Sequence, residues 1–201
     1  MQMMEIDEEI RCLKEYRDKN RDYPVIWARC SRRLIELYRL SGEEAEYKRE
    51  LIDYVLHHRP ELELYRELKS ISQEAEWEAI REELFAGAPY DSANYIYYAE
   101  EGLYERILDG LRHSGIICQL DRYEPLLREH YPARILQMYE EYVVMRSEPA
   151  TDRNTYRHLV EYLKKMKSYP GGEERVDMIV QDWKARYGRR RAMMEELEQL
   201  E

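Results

Sequence analysis

Leu51-Ile52-Asp53-Tyr54-Val55 is followed, 23 residues after its tyrosine, by Trp77-Glu78-Ala79. Leu159-Val160-Glu161-Tyr162-Leu163 is followed, 21 residues after its tyrosine, by Trp183-Lys184-Ala185. Each copy has the pattern of one helix, a turn, and the start or middle of another helix. A helix pair cannot bury its apolar stripe alone, so a recurring pair is expected to stack on its neighbours. The signature predicts an all-α fold, a right-handed α-solenoid of antiparallel helix pairs of the TPR-like or HAT-like kind.

The composition favours the same fold. Hydrophobic residues make up 44% and charged residues 37% of the 201 residues, which is too apolar for a disordered chain and highly charged for a compact globule. The chain has 19 tyrosines and one phenylalanine. A Tyr ring packs while its hydroxyl reaches water, which suits a thin stack of helices whose core is never far from solvent. The alternative is compositional drift in one lineage.

The three cysteines, Cys12, Cys30 and Cys118, are far apart and form no C-x-C or C-x-x-C motif. An odd number of scattered thiols argues against a disulfide framework and for a reducing compartment. No apolar stretch approaches the length of a membrane span, and no signal-peptide pattern opens the chain. We therefore expect a cytoplasmic protein without a membrane partner. Because the chain begins within a helix-like pattern, we also expect it to be part of a longer protein.

Pro and Gly divide the chain into segments of helical length, and about twelve helices are predicted. The breaks fall at Tyr23-Pro24, Ser41-Gly42, Arg59-Pro60, Gly87-Ala88-Pro89, Ser114-Gly115, Tyr131-Pro132, Ser147-Glu148-Pro149, Tyr169-Pro170-Gly171-Gly172 and Tyr187-Gly188. We expect one helical repeat domain over residues 1–201, with sub-units 1–88, 89–149 and 150–201.

Three segments have apolar residues at helical spacing, and two helix starts carry a capping signal. The apolar stripes are Trp27, Cys30, Leu34 and Leu37; Tyr156, Leu159, Leu163 and Met166; and Val176, Ile179, Val180, Trp183 and Tyr187. Ser41 with Glu44, and Ser70 with Gln73, match the capping box, in which the hydroxyl accepts from a free backbone amide.

The segment from Tyr90 to Gly115 is predicted to hold short helices and several tyrosines. Tyr95 and Tyr98 are the candidates here for binding a protein partner, since exposed aromatic clusters are common hot spots of interfaces. The alternative is that these rings fill the joint between two helix pairs.

The last quarter of the chain carries a resemblance to a known family. The segments that carry it are Asp152 to Met166, Gly171 to Glu174, Ile179 to Lys184 and Tyr187 to Leu197. Together they resemble the C-terminal helical region of bacterial SWIM zinc finger proteins. The resemblance implies a TPR-like accessory scaffold attached behind a small zinc module. The C-x-C…C-x-H pattern of that module is absent from this sequence, so no zinc ligand is assigned to any residue.

A search for catalytic motifs leaves two acid–histidine pairs as metal-binding candidates. The sequence contains no Walker loop, no H-E-x-x-H and no G-x-S-x-G motif. Asp53 with His57, and Asp109 with His113, lie four residues apart on predicted helices, so each pair projects from one face. If the two helices met, the pairs could hold zinc or iron. The alternative is a surface ion pair or a histidine beside a helix end.

The C-terminal region is basic although the chain as a whole carries a net charge of -10. Residues 151–192 contain 11 Lys and Arg against 6 Asp and Glu. A basic patch can bind phosphate or an acidic protein surface. In the alternative interpretation, the basic side chains of the patch complement helix C-termini and the acidic part of the chain next to it. The candidate contact residues of the patch are Lys164, Lys165, Arg186, Arg189, Arg190 and Arg191.

These observations predict a non-enzymatic scaffold, part of a larger SWIM-type protein, that binds a protein or peptide partner. We assign no catalytic residue, no metal ligand and no cofactor. Two alternatives remain, a nucleic-acid-associated accessory module that uses the basic patch and a helical metal-binding protein that uses the Asp–His pairs. The sequence identifies neither the partner nor the oligomeric state.

Overall fold

The structure is a computed structural model that describes residues 2–58, 61–87 and 91–200. Over these residues the chain forms twelve α-helices and no β-strand, which confirms the predicted all-α class and the number of helices. The helices are α1 (Gln2–Lys19), α2 (Pro24–Ser41), α3 (Glu44–His57), α4 (Leu62–Ile71), α5 (Glu74–Gly87), α6 (Tyr95–Glu100), α7 (Tyr104–Ser114), α8 (Ile117–Leu127), α9 (Pro132–Ser147), α10 (Arg153–Lys167), α11 (Gly172–Tyr187) and α12 (Arg191–Leu197). Two short 3-10 helices cover Asp91–Asn94 and Glu198–Leu200.

The chain divides into two compact units, Met1–Ile107 and Leu108–Glu201, and the division lies inside α7. In the first unit, α2 packs against α1 and α3, α3 against α4 and α5, and α4 against α6. In the second unit, α9 packs against α8, α10 and α11, while α10 packs against α11 and α12. Each of these contacts joins helices that are adjacent or next but one along the chain. The division does not coincide with the sub-unit boundaries predicted after residues 88 and 149.

Proline and glycine bound the helices largely where the sequence predicts. Pro24 and Pro132 occupy the first positions of α2 and α9, where a missing N–H costs nothing. Gly42 ends α2 with φ +77°, a conformation that residues with a Cβ rarely adopt. The predicted break at Arg59-Pro60 lies outside the described residues. Along the described stretches, no helix combines the length and the apolar character needed to cross a membrane.

The two predicted capping boxes are wrong. Ser41 is the last residue of α2, and its hydroxyl donates to the carbonyl oxygen of Tyr38 at 3.2 Å. Ser70 lies inside α4 and donates to the carbonyl oxygen of Glu67 at 2.7 Å. A serine in the last turn of a helix can satisfy a carbonyl three residues back, so the hydroxyl serves the preceding helix instead of the following one.

The repeated signature does not mark equivalent positions. Tyr54 lies in α3 and Trp77 in α5, so the whole of α4 separates them. Tyr162 lies in α10 and Trp183 in α11, the next helix. The prediction of one recurring helix pair from this signature is therefore wrong, although the tyrosine and tryptophan of each copy are buried.

A partly buried carboxylate joins three helices of the second unit. Asp121 of α8 accepts hydrogen bonds from the hydroxyl of Tyr139 in α9 at 2.9 Å and from that of Tyr162 in α10. It also accepts from Nζ of Lys165 in α10 at 2.8 Å. Burial alone would raise the pKa of Asp121, but these three donors outweigh it and leave the pKa below its usual range.

The first unit uses the same device at Glu101, just after α6. Its carboxylate accepts from the hydroxyl of Tyr65 at 3.2 Å, from Nζ of Lys69 at 2.9 Å and from the indole N–H of Trp77 at 3.4 Å. Further tyrosine hydroxyls donate to glutamates, namely Tyr47 to Glu67, Tyr54 to Glu61 and Tyr169 to Glu124. The composition predicts tyrosine hydroxyls that reach water. In these five networks they bind carboxylates, a role that phenylalanine cannot fill.

Candidate protein-binding groove

An apolar groove lies within the second unit, between the C-terminal half of α7, the start of α8 and one face of α9. Its volume is about 190 Å³. We call it the α7–α9 groove. Its apolar lining consists of Leu111, Ile116, Ile117, Leu120, Met138, Tyr142 and Met145, and Arg112 and Glu141 add one charge of each sign.

The groove has a buried floor and an exposed apolar rim. Leu111 and Leu120 form the floor, with 1% and 2% of their surfaces exposed. Ile116 and Met145 are 46% and 63% exposed, and they line the same groove. A single exposed apolar side chain is ordinary, whereas exposed apolar side chains gathered around one concave surface are typical of interaction sites. The groove thus offers apolar surface continuous with the core.

Helix α9 supplies one wall because it carries two apolar stripes. Ile135, Leu136, Tyr139 and Val143 face the core and are fully buried. Met138, Tyr142 and Met145 form a second stripe at spacings of four and three residues, and this stripe faces the groove. The first stripe lies in the core of the unit, whereas the second stripe lines the groove, where Tyr142 also contacts α10. An apolar face wider than one stripe is the signal in the sequence that could have located this wall.

The Tyr142 ring in this wall is held by its neighbours. It makes an edge-to-face contact with the Tyr162 ring, with centroids 5.2 Å apart, and a second with the His158 ring at 6.3 Å. The Tyr162 hydroxyl is in turn hydrogen-bonded to Asp121. A wall fixed by aromatic contacts and by the carboxylate network is organised before any ligand binds.

The two charged residues of the groove are exposed and come from different helices. Arg112 belongs to α7 and Glu141 to α9. Within the described part of the chain, neither makes an ion pair. The Glu141 carboxylate accepts a hydrogen bond from the side-chain amide of Gln137 at 2.9 Å. Both charges are therefore available to a bound ligand.

Four of the six basic residues predicted to bind a partner are engaged in ion pairs within the second unit. Lys164 pairs with Glu161 at 3.1 Å, and Lys165 with Asp121 at 2.8 Å. Arg186 pairs with Asp182 at 2.7 Å, and Arg191 with Glu195 at 2.9 Å. Lys165 is also part of the carboxylate network that joins α8 to α10. The pairs of Lys164, Arg186 and Arg191 each lie within a single helix.

Arg190 and Arg189 differ sharply although they are adjacent. The Arg190 guanidinium donates to the carbonyl oxygens of Ser147, Glu148 and Ala150 at 2.9–3.0 Å, and so satisfies carbonyl groups at the end of α9. Arg189 is exposed, and among the residues that the structure describes its side chain has no ion-pair or hydrogen-bond partner. Of the six candidates, Arg189 alone keeps a guanidinium free for phosphate or an acidic surface.

The tyrosines predicted as a hot spot are buried in the first unit. Tyr95 and Tyr98 in α6 are 2% and 7% exposed. The Tyr98 ring packs edge-to-face on Phe85 of α5 at 4.8 Å. Because neither ring is presented to solvent, the structure fits the alternative in which the aromatic cluster fills a joint between helices.

The two Asp–His pairs make local contacts. Nδ1 of His57 lies 3.0 Å from the carbonyl oxygen and 3.1 Å from the carboxylate of Asp53. Nδ1 of His113 lies 2.6 Å from the carbonyl oxygen of Asp109, whose carboxylate pairs with Arg134 at 3.5 Å. No group of three or more His, Cys, Asp or Glu among the described side chains could hold a metal ion. The contacts are those of histidines in the last turn of a helix.

No family model, no curated protein and no solved structure matches this chain.

Proposed function

We propose that the chain is a non-enzymatic protein-interaction module that binds a peptide segment of a partner protein in the α7–α9 groove. The observation that carries the proposal is the groove itself. It joins buried leucines to the exposed side chains of Ile116 and Met145, beside a tyrosine held by its neighbours. Pockets for protein ligands combine such apolar anchor sites with a few polar groups at the rim.

We further propose that each unit is a stack of antiparallel helix pairs of the TPR-like kind. Contacts between successive helices, such as α1 with α2, α2 with α3 and α9 with α10, support this arrangement, since repeat stacks are built from contacts between successive units. The resemblance of the last quarter to the helical region of SWIM zinc finger proteins supports an accessory scaffold. The groove would then be the recognition surface of that scaffold.

The flexible methionines suit a groove that adapts to its ligand. Met138 and Met145 have unbranched, polarizable side chains that fill irregular spaces, and Met-rich surfaces are common at peptide-binding sites. Each large apolar side chain that a ligand buries contributes about 1.5–3 kcal/mol before the entropic cost of binding.

The proposal is tested by panning a displayed library of random 16-residue peptides against the whole chain. We expect enrichment of peptides with several large apolar residues, and loss of their binding in the Ile116→Glu and Met145→Glu variants. Val144→Glu is the matched control, because Val144 is 49% exposed on the same helix but does not line the groove. It should leave binding unchanged.

Two results would contradict the proposal. One is the absence of enriched peptides against a chain that is folded by circular dichroism. The other is a set of enriched peptides whose binding falls equally in all three variants or in none of them.

A further inference from the structure

We infer that the occupant of the groove is an amphipathic helix whose apolar seam is flanked by an acidic residue on one side and a basic residue on the other. This inference rests on the proposed function and specifies its ligand. It follows from the spacing of the apolar side chains along α9 and from the placement of one charge on each wall.

The spacing of the wall matches the side of another helix. Met138, Tyr142 and Met145 lie seven residues apart from first to last, which is about 10 Å along α9. A second helix lying along α9 presents apolar residues at the same intervals, so anchors at positions i, i+4 and i+7 meet the stripe turn by turn. An extended strand advances about 3.3 Å per residue with alternating faces, and its side chains would fall out of step with the stripe.

The charges on the two walls have opposite signs. Arg112 on α7 and Glu141 on α9 are both exposed and both lack an ion pair within the described residues. A helix that fills the groove removes water from these two side chains, and an unpaired charge that loses water is costly. Asp109 and Arg134, which lie beside the groove, already pair with each other at 3.5 Å. They are therefore not expected to determine the charges on the bound helix.

Flanking charges of this kind determine which helices pair. In coiled coils, the residues on either side of an apolar seam form interhelical ion pairs that set partner and orientation. By the same physics, Arg112 selects an acidic flank and Glu141 a basic flank. Because a helix can lie in either direction, the prediction concerns the pair of flanks and not their order along the peptide.

The test uses three fluorescein-labelled 16-residue peptides with one leucine seam at i, i+4 and i+7. The first, mixed peptide has Glu on one side of the seam and Lys on the other. The second has Glu on both sides, and the third has Lys on both sides. We expect the mixed peptide to bind the wild-type chain about fivefold more tightly than either other peptide, the ratio for one rim ion pair replacing a like-charge contact. In Arg112→Glu the peptide with two Lys flanks should bind best, and in Glu141→Arg the peptide with two Glu flanks. Fluorescence anisotropy measures each Kd.

Arg146→Glu is the matched control, since it makes the same charge change as Arg112→Glu on a residue of α9 outside the groove. It should leave the order of the three peptides unchanged. An order that does not depend on Arg112 and Glu141 would overturn the inference, as would failure of all three peptides to bind. Library peptides that still require Met145 would then keep the proposed function intact, whereas their absence would remove both.

Discussion

The hydrogen bonds that Asp121 accepts from two tyrosines allow a direct test of how the second unit is held together. We predict that Asp121→Ala destabilises this unit by about 3 kcal/mol and Tyr139→Phe by about 1 kcal/mol. The double variant should lose about 1.5 kcal/mol less than the sum of the two single changes. Such coupling is expected because the two side chains satisfy each other.

The magnitudes follow from burial. Tyr139 is fully buried, so without Asp121 its hydroxyl is left unsatisfied, which costs about 1–3 kcal/mol. Tyr162 is 7% exposed and loses its acceptor as well. Lys165 adds little, because its side chain is 30% exposed and its ammonium can bind water instead. In the Tyr139→Phe variant, Asp121→Ala no longer leaves an unsatisfied hydroxyl at position 139. The second change therefore costs less free energy than it does in the wild type, which is the predicted coupling.

Native-state hydrogen exchange of the α9 and α10 amides in low urea gives the required free energies of opening. This readout is chosen because it reports on the second unit alone, whether or not the two units unfold together. A coupling below about 0.5 kcal/mol would refute the argument, since it would mean that each side chain acts independently of the other.

Three further predictions concern the second unit. The pKa of Asp121 is lowered in the fold. The stabilisation that the Asp121 carboxylate provides is therefore present above the unfolded pKa of about 3.9 and is lost as the pH falls through the lower folded pKa. The difference in free energy of unfolding between wild type and Asp121→Asn should be constant above about pH 5 and shrink below about pH 4. Gly172→Ala should lower the free energy of unfolding in urea by about 3 kcal/mol, because the new Cβ would lie 1.8 Å from a carbonyl oxygen of α10. Gly171→Ala should lower it by about 1 kcal/mol, because the alanine there meets only the strain of a φ of +74°. Arg190→Ala should lower the free energy of unfolding by about 2 kcal/mol and Arg189→Ala by less than about 0.5 kcal/mol, because only Arg190 binds carbonyl oxygens.

Local signals in the sequence predicted the helices well. The stripe Tyr156, Leu159, Leu163 and Met166 is buried along its whole length in α10. Pro24, Pro132 and Gly42 mark helix ends because proline lacks a donor and glycine accepts positive φ. These signals act within a few residues, so the sequence contains all the information they need.

Relations between distant residues were harder to predict. The Tyr54 and Trp77 signature was wrong as a repeat, since buried aromatic residues recur in any helical core. One local signal failed as well: the serines at 41 and 70 satisfy the helix before them, and nothing in the spacing distinguishes that choice from a cap of the next helix. The separation into units inside α7 depends on which helices pack together, which periodicity does not specify.

The candidate site shows the same limit. The basic patch is visible as charge, and its pairs Arg186–Asp182 and Arg191–Glu195 lie four residues apart within one helix. Only the pair of Lys165 with Asp121, which joins α10 to α8, depends on tertiary placement. To predict the groove from the sequence, Met138, Tyr142 and Met145 would have to be recognised as a second apolar stripe of α9, beside the stripe that faces the core. Arg112 becomes informative only once α7 and α9 are seen to line the same groove.

The binding claim is tested most directly by methyl NMR of the methionines during titration with a peptide enriched from the library. The account predicts that the Met138 and Met145 methyl resonances shift in proportion to the bound fraction. Met178, which is 60% exposed on α11 outside the groove, should stay in place. Shifts at Met178 with Met138 and Met145 unchanged would place the peptide elsewhere and contradict the account.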